Sequence, residues 1–192
     1  MLQTIILALA ILLPTSEGTQ ATYKIDTEAS KVSWLGKKVT GQHNGTVQLK
    51  SGSFEFEDGK LTGGTFTVDM TTIVSEDLEG EWKQKLEGHL KSDDFFGVEK
   101  YPNAVFVIKK AKAQGGGKYE VTGDLTIKGK TETITFPAQL TESGDKVYGL
   151  ANLTIDRSKF DVRYGSGSFF DDLGDKTIYD NFDLTVNIEA TK

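Results

Sequence analysis

The chain has 192 residues, within the span of a single domain, with 37% hydrophobic residues, 21 Gly, only three Pro and no Cys. Without Cys there can be no disulfide, no thiolate metal centre and no lipid-acceptor residue for a lipoprotein anchor. The formal charge of −6 is spread over interspersed acids and bases, so nothing recommends nucleic acid as a partner.

Ile5 to Leu13 is an unbroken apolar run of nine residues, followed by Pro14 and small or polar residues through Gly18. That length suits the apolar region of a signal peptide and is too short to span a bilayer. Ser16-Glu17-Gly18 fits a cleavage site and Thr19-Gln20-Ala21 is a second candidate, although no Lys or Arg precedes the run. The reading is a signal peptide over 1–18 and one domain over 19–192, exported to the periplasm or secreted, with no stable membrane anchor. Loss of Glu17 takes the charge from −6 to −5.

Beyond the signal, apolar and polar residues alternate with period two, as in half-buried antiparallel strands. The alternation predicts eight long strands over 30–40, 44–57, 61–72, 104–111, 118–128, 131–141, 146–156 and 180–190, plus a short edge strand over Tyr23 to Ile25. Gly52, mid-run in the second, marks a bulge or bend. Asp58-Gly59-Lys60, Gly115-Gly116-Gly117, Lys128-Gly129-Lys130 and Ser143-Gly144-Asp145 are hairpin signals. Two segments break the pattern. Trp82, Leu86, His89 and Leu90 fall at helical spacing within 76–92, and 157–179 is a long loop rich in Gly and charge. The fold class is all-β: an eight-stranded antiparallel barrel with one short helix and a long loop at the barrel ends.

An eight-stranded interior can be filled by side chains or can hold one small ligand. Gly36, Gly123, Gly149, Ala138, Ala151 and Ala190 share the inward phase with larger residues, which favours a hollow interior; a filled core remains the alternative. A hollow interior would be lined by Trp34, Phe66, Val68, Phe106, Leu125 and Phe136, and would suit an apolar, linear ligand. At the barrel mouth, Arg157, Arg163, Ser166 and Ser168, together with His89, could receive an anionic head group, through guanidinium contacts and the amides of a Gly/Ser loop. His89 lies near Asp93 and Asp94, but with only His43 besides it a third strong metal ligand is lacking, and no metal site is expected. Gly165-Ser166-Gly167 lacks the strand-to-helix context of a nucleophile elbow.

Four stretches carry a resemblance: Gly41-Gln42-His43-Asn44-Gly45-Thr46, Gly88 through Phe96, Lys100 through Phe106, and Thr122 through Gly129. In their order and spacing the chain resembles the YceI-like family of bacterial exported proteins, over essentially its whole mature length. The resemblance implies a lipocalin-like barrel that binds polyisoprenoid lipids, such as a prenyl pyrophosphate or a quinone-type tail. The stretch Tyr164 to Phe170 is longer and more ornate than in the best-known members, which leaves head-group preference open. The expected function is non-catalytic sequestration or carriage of an isoprenoid chain, with no catalytic residue and no cofactor apart from the bound lipid, and with a homodimer left open. Two alternatives stand beside it: an enzyme acting on such a lipid, or a filled barrel serving as an interaction module.

Overall fold

The computed structural model describes residues 18–192, so the signal-peptide reading lies, but for Gly18, outside the described residues. The strands are β1 (Gln20–Ile25), β2 (Lys31–Lys38), β3 (Gly41–Glu57), β4 (Lys60–Ser75), β5 (Asn103–Gly115), β6 (Lys118–Ile127), β7 (Lys130–Ser143), β8 (Lys146–Asp156) and β9 (Ile178–Thr191), with one helix, α1 (Gly80–Lys91), between β4 and β5. Successive strands pair antiparallel from β2 through β9, and β9 closes back onto β2, so eight staves form a closed ring.

The amino-terminal strand is more than an edge. β2 pairs with Gly41–Val47 of β3, while β1 pairs with Ser53–Glu57 further along the same strand and touches β9 at Ala190 and Thr191. β1 and β2 therefore share one stave, interrupted where Ser30 donates to the Asp26 carbonyl at 3.0 Å and Asp26 to the Glu189 carbonyl at 2.8 Å.

Hairpins set the up-and-down order. At Asp58-Gly59 and Lys128-Gly129 both residues have positive φ (49° and 71°; 50° and 71°), the mirror-image turn whose twist matches that of paired strands. Bulges shift the inward phase of β3 and β4. Leu61 faces in at the start of β4, Phe66, Val68 and Met70 along its middle, and Ile73 near its end. Gly52 pairs regularly with Phe66, two residues beyond the bulge at Lys50. A Cβ there would stand 2.8 Å from the Phe66 ring, so this glycine admits an aromatic rather than bending the strand.

Both barrel ends are capped by buried side chains. At the end formed by the β3–β4, β5–β6 and β7–β8 hairpins the cap is Tyr23, Phe56, Leu61, Tyr119, Val147 and Ala190. At the opposite, helix end it comes from α1, the turn after it and the 157–179 segment, through Leu90, Phe95, Phe96, Val98, Phe160 and Val162. The helix packs by its last turn. Leu90 is buried, whereas Trp82 is 70% exposed with the Lys85 ammonium 4.9 Å above its ring. The 157–179 segment is ordered by two short 3-10 turns, Arg157–Phe160 and Gly174–Lys176.

Candidate ligand cavity

The interior holds two apolar cavities of about 140 Å³ each. The first lies towards the hairpin end, among Leu49, Phe54, Phe106, Ile134, Phe136 and Ile188. The second lies towards the helix end, among Trp34, Val47, Met70, Leu90, Phe95 and Phe182. They adjoin at a waist made by Val32, Val68, Leu125 and Leu184, which line both. No polar atom contributes to the surface of either. Cavities of this size with aliphatic and aromatic walls stay dry and admit apolar guests.

Of the six residues read from the sequence as lining, Phe66, Phe106 and Phe136 line the first cavity, Trp34 the second, and Val68 and Leu125 the waist. Phe106 and Phe136 have ring centroids 5.4 Å apart, and Trp34 tethers its indole by donating Nε1–H to the Thr46 carbonyl at 3.3 Å. The small inward residues divide into two groups. Ala138, Gly149 and Ala151 line the first cavity, with a Cβ at Gly149 coming to 3.1 Å from the Phe54 ring, and Gly36 lines the second, where an added Cβ would meet nothing within 4 Å. Gly123 makes no space: a Cβ there would overlap the Val107 carbonyl and stand 2.5 Å from Phe106 Cζ. Ala190 is fully buried in the hairpin-end cap. Ile134, Leu153, Leu184 and Val186 complete the walls; their alternation is readable in the sequence, but phase alone does not tell a wall residue from a packed one.

The polar residues expected at the mouth are engaged by partners within the protein, two of them, Arg157 and Ser168, by the same Asp180 carboxylate. Arg157 is only 2% exposed and forms part of the wall of the second cavity. Its Nε donates to the Tyr179 carbonyl (3.2 Å), Nη1 to Val162 (2.8 Å) and Nη2 to Ile178 (2.9 Å), with Asp180 Oδ1 at 3.5 Å and the Phe95 ring 5.4 Å away. Arg163 is exposed and pairs with Asp161 at 2.6 Å, which holds that carboxyl below its ordinary range, and stacks over Phe169 at 5.0 Å. Ser166 is fully buried and its Oγ accepts from the Ser168 amide (3.2 Å); Ser168 Oγ donates to Asp180 at 2.6 Å. The amides of Ser166, Phe169 and Phe170 donate to carbonyls within the same loop. These donors hold the helix-end cap together: Arg157 and Ser168 are directed at Asp180, Arg163 at Asp161 and the loop amides at their own carbonyls, so none is left pointing at a common ligand position.

His89 stands edge-on to Tyr164 (4.3 Å) and Phe95 (5.6 Å), with Nε2 buried and unpartnered among the described residues. Burial lowers its pKa, with the Asp94 charge opposing. Asp93 is engaged elsewhere, by Lys100 at 2.6 Å, and Asp94 acts on the imidazole through its charge alone. His43 pairs with Asp77 at 2.8 Å. No group of three or more His, Cys, Asp or Glu that could hold a metal occurs among the described residues, and no helix among them is long and apolar enough to cross a membrane.

The fold and its cavities define a closed antiparallel barrel of lipocalin-like form with an apolar interior. The YceI-like domain matches residues 23–190, and the chain belongs to the YceI-like family. A UPF0312 protein of Pseudomonas putida (strain F1) is 30% identical over 209 residues, covering 100% of this chain and 99% of that protein. One from Photorhabdus laumondii is 32% identical over 189 residues, covering 95% and 93%. Among solved structures, Burkholderia cenocepacia BcnA superimposes with a TM-score of 0.68 at 29% identity, over 87% of this chain and 99% of that one. A polyisoprenoid binding domain from Saccharophagus degradans gives a TM-score of 0.68 over 88% and 97%, and at 14% identity that likeness concerns the fold alone.

Proposed function

We propose that this chain is an exported, non-catalytic carrier that holds a linear isoprenoid lipid in its two adjoining cavities. The observation that carries the reading is the form and chemistry of the interior: two adjoining cavities, one towards each barrel end, with apolar surfaces throughout. A linear chain fits such a space better than a compact ring system. Each isoprene unit taken from water into it gains about 3–4 kcal/mol, at ~0.8 kcal/mol per CH₂-sized group. Three or four buried units would give roughly 9–16 kcal/mol, enough to offset ordering costs at the lower end of the ~4–15 kcal/mol range. The family membership and the polyisoprenoid-binding description of the Saccharophagus neighbour support the same class of ligand.

Affinity on this reading comes from apolar burial, and the head group adds little, since Arg157, Arg163, Ser166 and Ser168 already have internal partners. A prenyl alcohol and its pyrophosphate should therefore bind within about a factor of ten of each other, roughly one charge-assisted contact. The decisive experiment is purification from the native host, extraction with organic solvent and mass spectrometry of the lipid recovered. A protein that repeatedly yields none, and that also refuses added prenyl alcohols, defeats the reading. Export is tested separately, by cell fractionation and amino-terminal sequencing of the mature protein.

A further inference from the structure

The barrel wall is not closed along its whole height. β7 and β8 pair only from Ala138↔Ala151 to Ser143↔Lys146. From there to the helix end, residues 130–137 of β7 pair with β6 alone and 152–156 of β8 with β9 alone. The ladder stops beside Pro137, which has no N–H to offer a neighbouring strand. Side-chain hydrogen bonds along both borders point away from the gap: Thr131 to Thr126, Thr133 to Asp124 and Thr135 to Thr122 on one border, Thr154 to Asp183 and Asn152 with Thr185 on the other. Among the described residues no backbone or side-chain hydrogen bond joins 130–137 to 152–156.

A second place where neighbouring staves part shows that such a gap can be sealed. β4 and β5 pair only between Gly64–Asp69 and Asn103–Ile108. Beyond that the space is occupied by Leu61 and Tyr119, 3% and 8% exposed, with the Leu61 amide 3.5 Å from the Tyr119 hydroxyl. In the β7–β8 gap the filling is confined to the helix-end part, where Ile155 is 2% exposed and β7 meets the Arg157–Phe160 turn; nearer Pro137 the lining is only half-buried or exposed. The gap contains a cavity of about 180 Å³ bordered by Ile134, Phe136, Pro137, Asn152, Leu153 and Thr154. Ile134, Phe136 and Leu153, each only half-buried, also line the first interior cavity. Both barrel ends, by contrast, are stoppered by side chains such as Val147, Phe160 and Val162, at most 1% exposed.

We infer that the split between β7 and β8 is a lateral portal through which an apolar chain passes sideways between the outside and the first cavity. The inference rests on the lipid-binding reading and adds the route to it. An apolar chain threading there slides over Ile134, Phe136 and Leu153, breaks no hydrogen bond of the ladder, and leaves both end caps in place.

The test uses the absence of native Cys. Thr135→Cys with Thr154→Cys allows a cleavable bifunctional thiol cross-linker to bridge the slot from its outer face. Thr141→Cys with Tyr148→Cys places the same bridge where β7 and β8 are already paired. His89→Cys with Tyr164→Cys pins the helix-end cap, joining α1 to the 157–179 segment where the two rings stand 4.3 Å apart. Each variant is measured before cross-linking, after it, and after cleavage, for uptake and release of a fluorophore-tagged farnesyl alcohol. The expected result is that only the slot bridge slows uptake and release, by about tenfold or more, with equilibrium affinity unchanged and rates restored on cleavage. Unchanged rates with the slot bridged, or rates slowed by the cap bridge instead, overturn the portal while leaving lipid binding intact. A protein that takes up no probe in any form overturns the lipid-binding reading and the portal with it.

Discussion

Replacing Arg157 by Gln separates a structural arginine from one that receives a head group. The guanidinium is 2% exposed and supplies hydrogen bonds to the carbonyls of Val162, Ile178 and Tyr179, besides facing Asp180 Oδ1 at 3.5 Å. Tyr179 is half exposed and its carbonyl can turn to water, but Val162 is fully buried and Ile178 partly so. A buried acceptor left without a donor costs about 1–3 kcal/mol, and removing one member of a buried pair about 3–5 kcal/mol. These costs overlap, because one side chain serves all the partners, so the expected loss is about 3–5 kcal/mol in total. With a urea slope of about 2–3 kcal/mol/M for a domain of this size, the unfolding midpoint should fall by roughly 1–2 M. Amide exchange over 161–180 should accelerate first, since those residues hang from the arginine. Arg163→Gln, on an exposed pair with Asp161, should leave the midpoint unchanged. An Arg157→Gln protein of wild-type stability that binds a prenyl pyrophosphate less well, but not the alcohol, would refute this reasoning and make the arginine a ligand contact.

Gly36→Leu should fold normally, because its Cβ enters open space, and should weaken binding of a prenyl alcohol roughly tenfold by occupying the second cavity; calorimetric titration reads this. Gly123→Ala should destabilise by about 1–3 kcal/mol, since the methyl overlaps the Val107 carbonyl and Phe106, and urea unfolding reads that. His89 has a folded-state pKa below its ordinary 6.5, chiefly through burial. The unfolded chain therefore takes up its proton first as pH falls, so stability is full above about 6.5 and declines below it. His89→Gln should flatten that decline between the ordinary pKa of His and the carboxylate range, a difference visible in unfolding midpoints from pH 7 to 5. Equal slopes in the two proteins would remove His89 as the cause.

Most of the barrel is written locally. Alternation places the apolar faces of β2 to β9, and the paired positive-φ turns at Asp58-Gly59 and Lys128-Gly129 leave little choice but hairpins between adjacent strands. The inward phase likewise picks out Trp34, Phe66, Val68, Phe106, Leu125 and Phe136 as interior residues. What alternation cannot decide is volume, because whether a small inward residue leaves a void depends on what the facing staves bring to it. Gly36 opens onto empty space, while Gly123 is taken up by Phe106 from the next strand. Nor does a run of charged and Gly/Ser residues reveal where its donors point. Arg157 reads as a mouth residue in sequence, yet closure of the barrel turns it inward onto the carbonyls of the loop that follows it. The split between β7 and β8 is also a property of the closed ring. Each strand alternates normally up to its end; Pro137 marks where the ladder stops, but that the two strands part there follows from the curvature of eight staves brought together.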